Sequence, residues 1–451
     1  MPAAPVVVPL DGAPDVDVVV VGAGPAGASA ALRLAERGLD VALVERAGTP
    51  GAKNLSGGVL YLDALVRAVG DAWREAPLER VVTRNVTTLL TADAAVSLDY
   101  ADSSLAGPPA RGSAGAPNAA TVLRARFDPW LAGRAEAAGA FPMPGMLVEA
   151  LAVAEAPEAP GGRRVVGVVA GGQVMRSTAV VLADGVNSFL ARGAGLRGEP
   201  AARDVAVGVK AVLGLDPRRI ADRFGVAGDE GAAHAIIGDA TLGVAGGAFL
   251  YTNRESLSLG VVLRLDDLVA SGRTAREVFT HLLTHPGLQR YVADTEVLEY
   301  GSHLVAEGGA AMVGTVAWPG CVVVGDAAGL TLNSGLVLRG MDLAITSGLA
   351  AGDAVADAVA AGDPDATLAY QELLTASSAY RDLAAHAGMP DLLDRRGPYG
   401  PWGETARDVL RATYRIDGSD TVPLRVALRR ALRRQGWRTW LGDARRIWRS
   451  A

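Results

Sequence analysis

Gly22, Gly24 and Gly27 stand in a GxGxxG spacing directly after the apolar run at 18–21, and the acid Glu45 closes a second apolar run 18 residues past Gly27. The chemistry such a spacing serves is the holding of a dinucleotide. Gly22 permits a tight turn, Gly24 lets the backbone approach a pyrophosphate, and Gly27 lets helix and strand pack closely. The helix opening at Pro25 and Ala26 offers free N–H groups to the phosphates, and Glu45 offers a carboxylate to ribose hydroxyls. A chain with 56 glycines produces the bare pattern by chance. The strand before it, the helix after it and the acid at a strand end are what give it meaning.

These residues need a β–α–β unit to position them. The stretch 25–37 reads as a helix ended by Gly38, and 41–44 as the second strand. Another strand at 179–182 runs into Ala183-Asp184-Gly185, and a buried parallel-type strand at 321–324 runs into Gly325-Asp326. From about 204 to 304 the texture changes. Segments 205–213, 232–237, 247–251 and 256–265 alternate as antiparallel strands do, with a helix near 274–283. Residues 127–138 read as helix and 335–361 as one long small-residue helix; 101–120 reads as an exposed loop, and 154–163 as a hairpin tip between Val148 and Val165.

The expected architecture is α/β. A Rossmann-like dinucleotide-binding domain spans 15–203 and 305–370 discontinuously, with an antiparallel sheet domain inserted at 204–304. A loose tail precedes it at 1–14 and a helical C-terminal region follows at 371–451.

Composition narrows the function. With 451 residues, 50% hydrophobic and 20% charged, the chain is globular rather than disordered. A net charge of −6 argues against nucleic acid as a partner. The single cysteine, Cys321, excludes an internal disulfide, a four-cysteine zinc site and a self-supplied iron–sulfur cluster. The five histidines show no ligand-like cluster, since His281 and His285 stand four apart but without the glutamate of a zincin pattern, and no metal site is expected. No basic residue precedes Arg33, so the start lacks the flank of a signal peptide, and the charge-free window at 308–325 is too rich in glycine for a membrane span. The expectation is a cytoplasmic protein, at most peripheral on the cytoplasmic membrane face. Only Lys53 and Lys210 are lysines among 43 basic residues, so each is a candidate for a chemically required amine.

The wording Val-Val-Gly-Ala-Gly-Pro-Ala-Gly at 20–27, with Glu45-Arg46, resembles the FAD-binding members of the glutathione-reductase-like class. Leu182-Ala183-Asp184-Gly185 and Val324-Gly325-Asp326-Ala327 resemble the two later motifs of aromatic hydroxylases and their relatives. Five further stretches are similar to FixC-type electron transfer flavoprotein–quinone oxidoreductases: 51–58, from Gly51-Ala52-Lys53-Asn54 to Gly57-Gly58; 121–131, around Arg124; 247–253; 325–345, with Asn333-Ser334-Gly335 and Arg339-Gly340-Met341; and 414–418. The resemblance covers roughly 15–451.

That resemblance implies FAD as cofactor, held by Gly22, Gly24, Pro25, Ala26, Gly27, Glu45, Arg46, Lys53, Asn54, Gly57, Gly58, Arg124, Val148, Asp184, Gly185, Gly325, Asp326, Asn333 and Gly335. Asp326 falls to the ribityl chain, and the helix after it points its N-terminus at the flavin ring, where it stabilises negative charge. Lys53 and Arg124 are cations suited to phosphate or reduced flavin. Lys53, Asn54, Asn333 and Arg339 are expected to tune flavin position or potential. Asparagine also favours turns, and these motifs are turns. Electron transfer needs no general base, so no side chain is assigned a catalytic role.

The implied partners are the electron transfer flavoprotein subunits, a quinone and, since one cysteine cannot hold a cluster, a separate ferredoxin-like iron–sulfur protein. An FAD-dependent monooxygenase, a geranylgeranyl-type prenyl reductase and a flavin-binding scaffold that never cycles use the same motifs and stay open. Finally, 425–451 carries nine arginines against Asp443, with Leu424, Leu428 and Leu432 at helical spacing and Trp437, Trp440 and Trp448 beyond. A basic amphipathic end of this kind suits an anionic membrane surface, a ferredoxin, or the protein's own acidic body.

Overall fold

The computed structural model describes residues 4–54, 57–107, 115–418 and 421–435. Val16–Val21 is buried on both faces, as a central parallel strand must be, and it pairs in parallel with Val41–Glu45 on one side and Gln173–Leu182 on the other. Cys321–Val323 adds a fourth parallel strand beside Gln173–Leu182, with Val181 opposite Val322. The turn residues Gly22, Glu45, Asp184 and Asp326 therefore all fall at the carboxyl ends of these strands. That edge is where open α/β sheets bind their ligands.

Helix Pro25–Glu36 packs on this sheet, and helix Met341–Ala360 crosses it so closely that a Cβ at Gly348 would stand 2.2 Å from the Ala26 carbonyl oxygen. Met341–Ala360 is also long and apolar enough to cross a membrane, but most of its surface is buried in this core. It begins later than its small-residue composition suggests. Leu332–Asn333 and Leu338–Arg339 first form a short antiparallel ladder, turned at Gly335 with φ +79°.

The second sheet runs Glu296–Ala306, Val205–Gly214, Ser256–Arg264, Gly246–Thr252, Glu230–Gly238, Leu78–Thr91, Ala119–Val122, Gly58–Tyr61, and Ala94–Ala101 pairs with Leu78–Thr91. All four strands expected within 204–304 form, with helix Ala275–Thr284. The sheet nevertheless extends beyond that segment, because Glu230–Gly238 pairs in parallel with Leu78–Thr91. The sheet therefore takes in 58–122 as well. The segment at 1–14 also differs from a free tail: Val6–Val7 pairs in parallel with Ala152 and Val153 at the edge of the first sheet. One apolar core lies on the first sheet and takes in Leu60, Ala120 and Val122 from the far strands of the second; another lies on the second sheet alone.

Candidate functional site

A cleft of about 640 Å³ opens between the two sheets, within the ~300–1,000 Å³ range of ligand sites. It brings together Gly22, Gly24, Pro25, Ala26, Glu45, Arg46, Lys53, Asn54, Gly57, Gly58, Arg124, Val148, Asp184, Gly185 and Asp326. Gly27 and Gly325 stand behind this wall. A Cβ on Gly27 would lie 1.8 Å from the Gly22 carbonyl oxygen, and one on Gly325 2.8 Å from the Ala26 Cβ. Both are packing glycines. Asn333 and Gly335 lie elsewhere, on a second cavity described below.

Three features show that the cleft fits a dinucleotide. A Cβ on Gly24 would meet no protein atom closer than Arg124 Nη2 at 3.6 Å, so the fold itself does not require glycine there; a close ligand does. Helix Pro25–Glu36 has no side-chain cap and no acid in its first turn, which leaves its N–H groups and positive end to an anion. Asp184 accepts from the Leu190 N–H through Oδ2, whereas its Oδ1 is buried without a partner. Burial pushes the Asp184 carboxyl up to about 6, against the backbone N–H groups of the 189–190 turn. An unused buried acceptor in a cleft is a place for a ligand donor.

Glu45 is held by two backbone donors, Ala23 N–H to Oε2 at 3.0 Å and Ala47 N–H to Oε1 at 2.8 Å. Its carboxylate is thus fixed at the strand end with lone pairs to spare. Arg124 opens helix Arg124–Ala137 and is forked onto Asp128; burial disfavours its charge, but Asp128 and Asp326 more than compensate. Asn54 donates to the same Asp128 at 3.3 Å.

The motifs do not include Lys210, yet it lines the cleft from strand Val205–Gly214. Its ammonium sits 5.6 Å from the Phe249 ring centre. Burial, then Arg124, pushes it down to about 8, with Asp326 opposing. His303 reaches the same cleft from strand Glu296–Ala306 and is pushed down to about 4 by burial and by these cations. The available signal for Lys210 was its rarity; for His303 there was none. Arg339 also lines the cleft, tied to Asp342 and Asp382.

Val59, Phe249, Tyr251, Thr331 and Leu338 line both the cleft and a second, smaller cavity of about 150 Å³. Apolar side chains including Leu332, Leu336, Val337 and Leu383 wall this cavity, and Asn333 and Glu307 face it. The two spaces share a wall.

Elsewhere, Asp239, His281 and His285 place ligand-type atoms within 4.8 Å of one another. His285 Nδ1 accepts from the Gly287 N–H at 3.0 Å, which puts the ring proton on Nε2, where it is donated to the Thr91 carbonyl at 3.1 Å. These rings tie the end of helix Ala275–Thr284 to its neighbours.

The family described as pyridine nucleotide-disulphide oxidoreductase matches residues 16–123. A geranylgeranyl bacteriochlorophyll reductase-like protein of Thermoplasma acidophilum has the same fold, with TM-score 0.68 over 96% of this chain and 99% of that one at 19% identity. The flavin-dependent brominase Bmp2 shares it at TM-score 0.58 and 17% identity, over 94% and 99%. Fold, cleft and family match, with the relatives that follow, define an FAD-dependent oxidoreductase.

Within that class the chain is 40% identical over 413 residues to the probable electron transfer flavoprotein-quinone oxidoreductase YdiS of Escherichia coli, covering 91% of this chain and 92% of that protein. It is 39% identical to the similarly named YgcN of E. coli, over 95% and 97%, and 36% identical to protein FixC of Salmonella typhi, over the same shares. The chain belongs to the family of FixC and the electron transfer flavoprotein–quinone oxidoreductases.

Proposed function

We propose that this protein takes electrons from an electron transfer flavoprotein and passes them to a quinone, with a separate ferredoxin-like protein carrying any iron–sulfur step. The observation that carries the reading is the sharing of one wall between a dinucleotide cleft and a cavity with an apolar side, in a chain 39–40% identical to two proteins of that name and 36% identical to FixC. The cleft holds FAD, which when bound supplies reversible uptake of two electrons and their release singly or together. Gly24 and the uncapped start of helix Pro25–Glu36 take the pyrophosphate, Glu45 the adenosine ribose, and Asp184 and Asp326 the donors of the linking chain. Lys210 and Arg124 bring positive charge to the cleft and favour a reduced, anionic cofactor. The smaller cavity takes the apolar acceptor. Cys321 is buried within its strand, its thiol pushed up by burial and then by Asp184, so the single sulfur is no cluster ligand. The protein is cytoplasmic, with its basic C-terminal segment against the anionic membrane face.

Anaerobic stopped-flow reduction tests the reading. Reduced electron transfer flavoprotein bleaches the bound flavin rapidly, whereas NADPH alone does not. Fast bleaching by NADPH, with or without an aromatic or prenyl substrate, would replace this reading with a monooxygenase or prenyl reductase.

A further inference from the structure

Glu307 follows the last strand of the second sheet and faces the smaller cavity. One of its oxygens, Oε2, accepts from Asn333 Nδ2 at 3.3 Å; the other, Oε1, is shut away from solvent with no hydrogen-bond partner. A carboxylate kept for stability would have both oxygens satisfied, because an unpaired buried acceptor costs ~1–3 kcal/mol. The orientation of Asn333 is fixed independently. Its Oδ1 accepts from the Gly335 N–H at 2.9 Å, so its amide nitrogen is the end presented to Glu307.

Arg264, the cation nearest in charge terms, does not neutralise Glu307, since it is bound to Asp266 at 2.7 Å and to Asp394. Tyr399 gives its hydroxyl to the Leu393 carbonyl, and Tyr61, Arg203, Asp204, His234, Tyr251, His386 and Asp394 are the other titratable groups that line this cavity. Burial pushes the Glu307 carboxyl up to about 7, with the Asn333 hydrogen bond and then Arg264 opposing. The group is therefore an acid that changes state at physiological pH in a space walled by both apolar and polar side chains.

We propose that Glu307 delivers a proton to the acceptor in the smaller cavity, with Asn333 as its positioning residue. This rests on the quinone reading above. Reduction of a quinone to its quinol takes two electrons, supplied by the reduced flavin, and two protons. Glu307 supplies one of the protons: its carboxyl O–H breaks, an O–H forms at one quinone oxygen, and the carboxylate is reprotonated from water that enters the cavity after the quinol leaves. The second proton comes from solvent.

The test uses holoprotein reduced anaerobically and mixed with a short-chain, water-soluble quinone across pH 5–9. The rate is expected to be high at acid pH and to fall through an inflexion near 7, since the donor must be protonated. Glu307→Gln loses the inflexion and slows by about 10²-fold, the lower end of what a positioned acid contributes. Glu307→Asp restores part of the rate and the inflexion. Asn333→Ala moves the inflexion upward, because it removes a hydrogen bond that favours the charged form. Infrared difference spectra supply a readout independent of turnover: a protonated carboxyl band that titrates near 7 and is missing in Glu307→Gln. If that band titrates but quinone kinetics are unchanged in Glu307→Gln, the proton role is overturned while the quinone reading stands. A wild-type protein that no quinone reoxidises overturns both.

Discussion

Arg124 Nε and Nη2 each lie 2.6 Å from an oxygen of Asp128, one helical turn further on, and the carboxylate is fully buried. This fork fixes the guanidinium on the cleft wall beside Gly24. Asp128→Asn keeps the shape but removes the countercharge. Breaking a buried pair costs ~3–5 kcal/mol, and since the Arg124 side chain is 21% exposed the expected loss is smaller, about 2 kcal/mol. Urea unfolding of the apoprotein measures the loss. The purified variant also carries less FAD, because the freed guanidinium no longer faces the cofactor in one geometry.

Gly24 and Gly27 separate binding from folding. Gly24→Val directs its side chain into cleft space, so the apoprotein keeps its stability and loses its flavin. Gly27→Val drives a side chain against the Gly22 carbonyl and costs stability whether or not flavin is present. Flavin absorbance per chain and apoprotein unfolding, measured on both variants, distinguish the two. Full flavin occupancy in Gly24→Val would remove that residue from the cofactor path.

What the sequence made legible follows from how local each signal is. The β–α–β unit and the strands between 205 and 264 are written in short patterns, and they form within a residue or two of where those patterns put them. Leu78–Thr91 was not legible as part of the second sheet, because its parallel partner lies some 150 residues away at Glu230–Gly238. The motifs led to the cleft's glycines and acids, but not to Glu307. It neighbours Asn333 in space at 3.3 Å while standing 26 residues from it in the chain. Asn333 itself was expected among the residues that hold FAD and tune the flavin, and it lines the smaller cavity.

Lys210 predicts an opposition between stability and function. Its pKa is held near 8 in the fold against its ordinary 10.5, so the folded state disfavours the ammonium. Below about pH 8 both states are protonated and the fold carries the full cost. Between about 8 and 10.5 the native state sheds its proton before the unfolded state does, and stability rises with pH. Lys210→Met is therefore expected to stabilise the apoprotein at pH 7 by about 2–3 kcal/mol, a gain that shrinks as pH rises through this window. The same variant loses a cation from the cleft, so its flavin is harder to reduce. Chemical unfolding at pH 7 and pH 10, with a redox titration of the holoprotein, tests both halves. A variant less stable than wild type at pH 7, or one with an unchanged potential, contradicts the assignment of a strained, functional amine.

The last prediction concerns helix Leu424–Gln435. Its buried face is a narrow alanine stripe, Ala427 and Ala431, against helix Pro401–Tyr414. Leu424 and Leu428 point outward, 61% and 45% exposed, and Arg425, Arg429 and Arg433 line a shallow groove with Leu428 and Leu432. Trp437, Trp440 and Trp448 lie outside the described residues. The helix thus leaves Leu424 and Leu428 out of its own core, with Leu432 half-buried, which favours an external surface. Anionic lipid suits that face: each arginine near the headgroups adds ~1 kcal/mol, and the leucines have acyl chains to enter. Full-length holoprotein is expected to co-sediment with vesicles containing anionic lipid at low salt and to be released at high salt, as charge screening requires. Deleting 425–451 abolishes the binding. Replacing Arg425, Arg429 and Arg433 together by Gln weakens it without touching the alanine stripe, and both variants keep their flavin. Equal binding by the deletion variant, or no binding by the full chain, removes the membrane from this surface and leaves an acidic protein partner or the protein's own acidic body as its occupant.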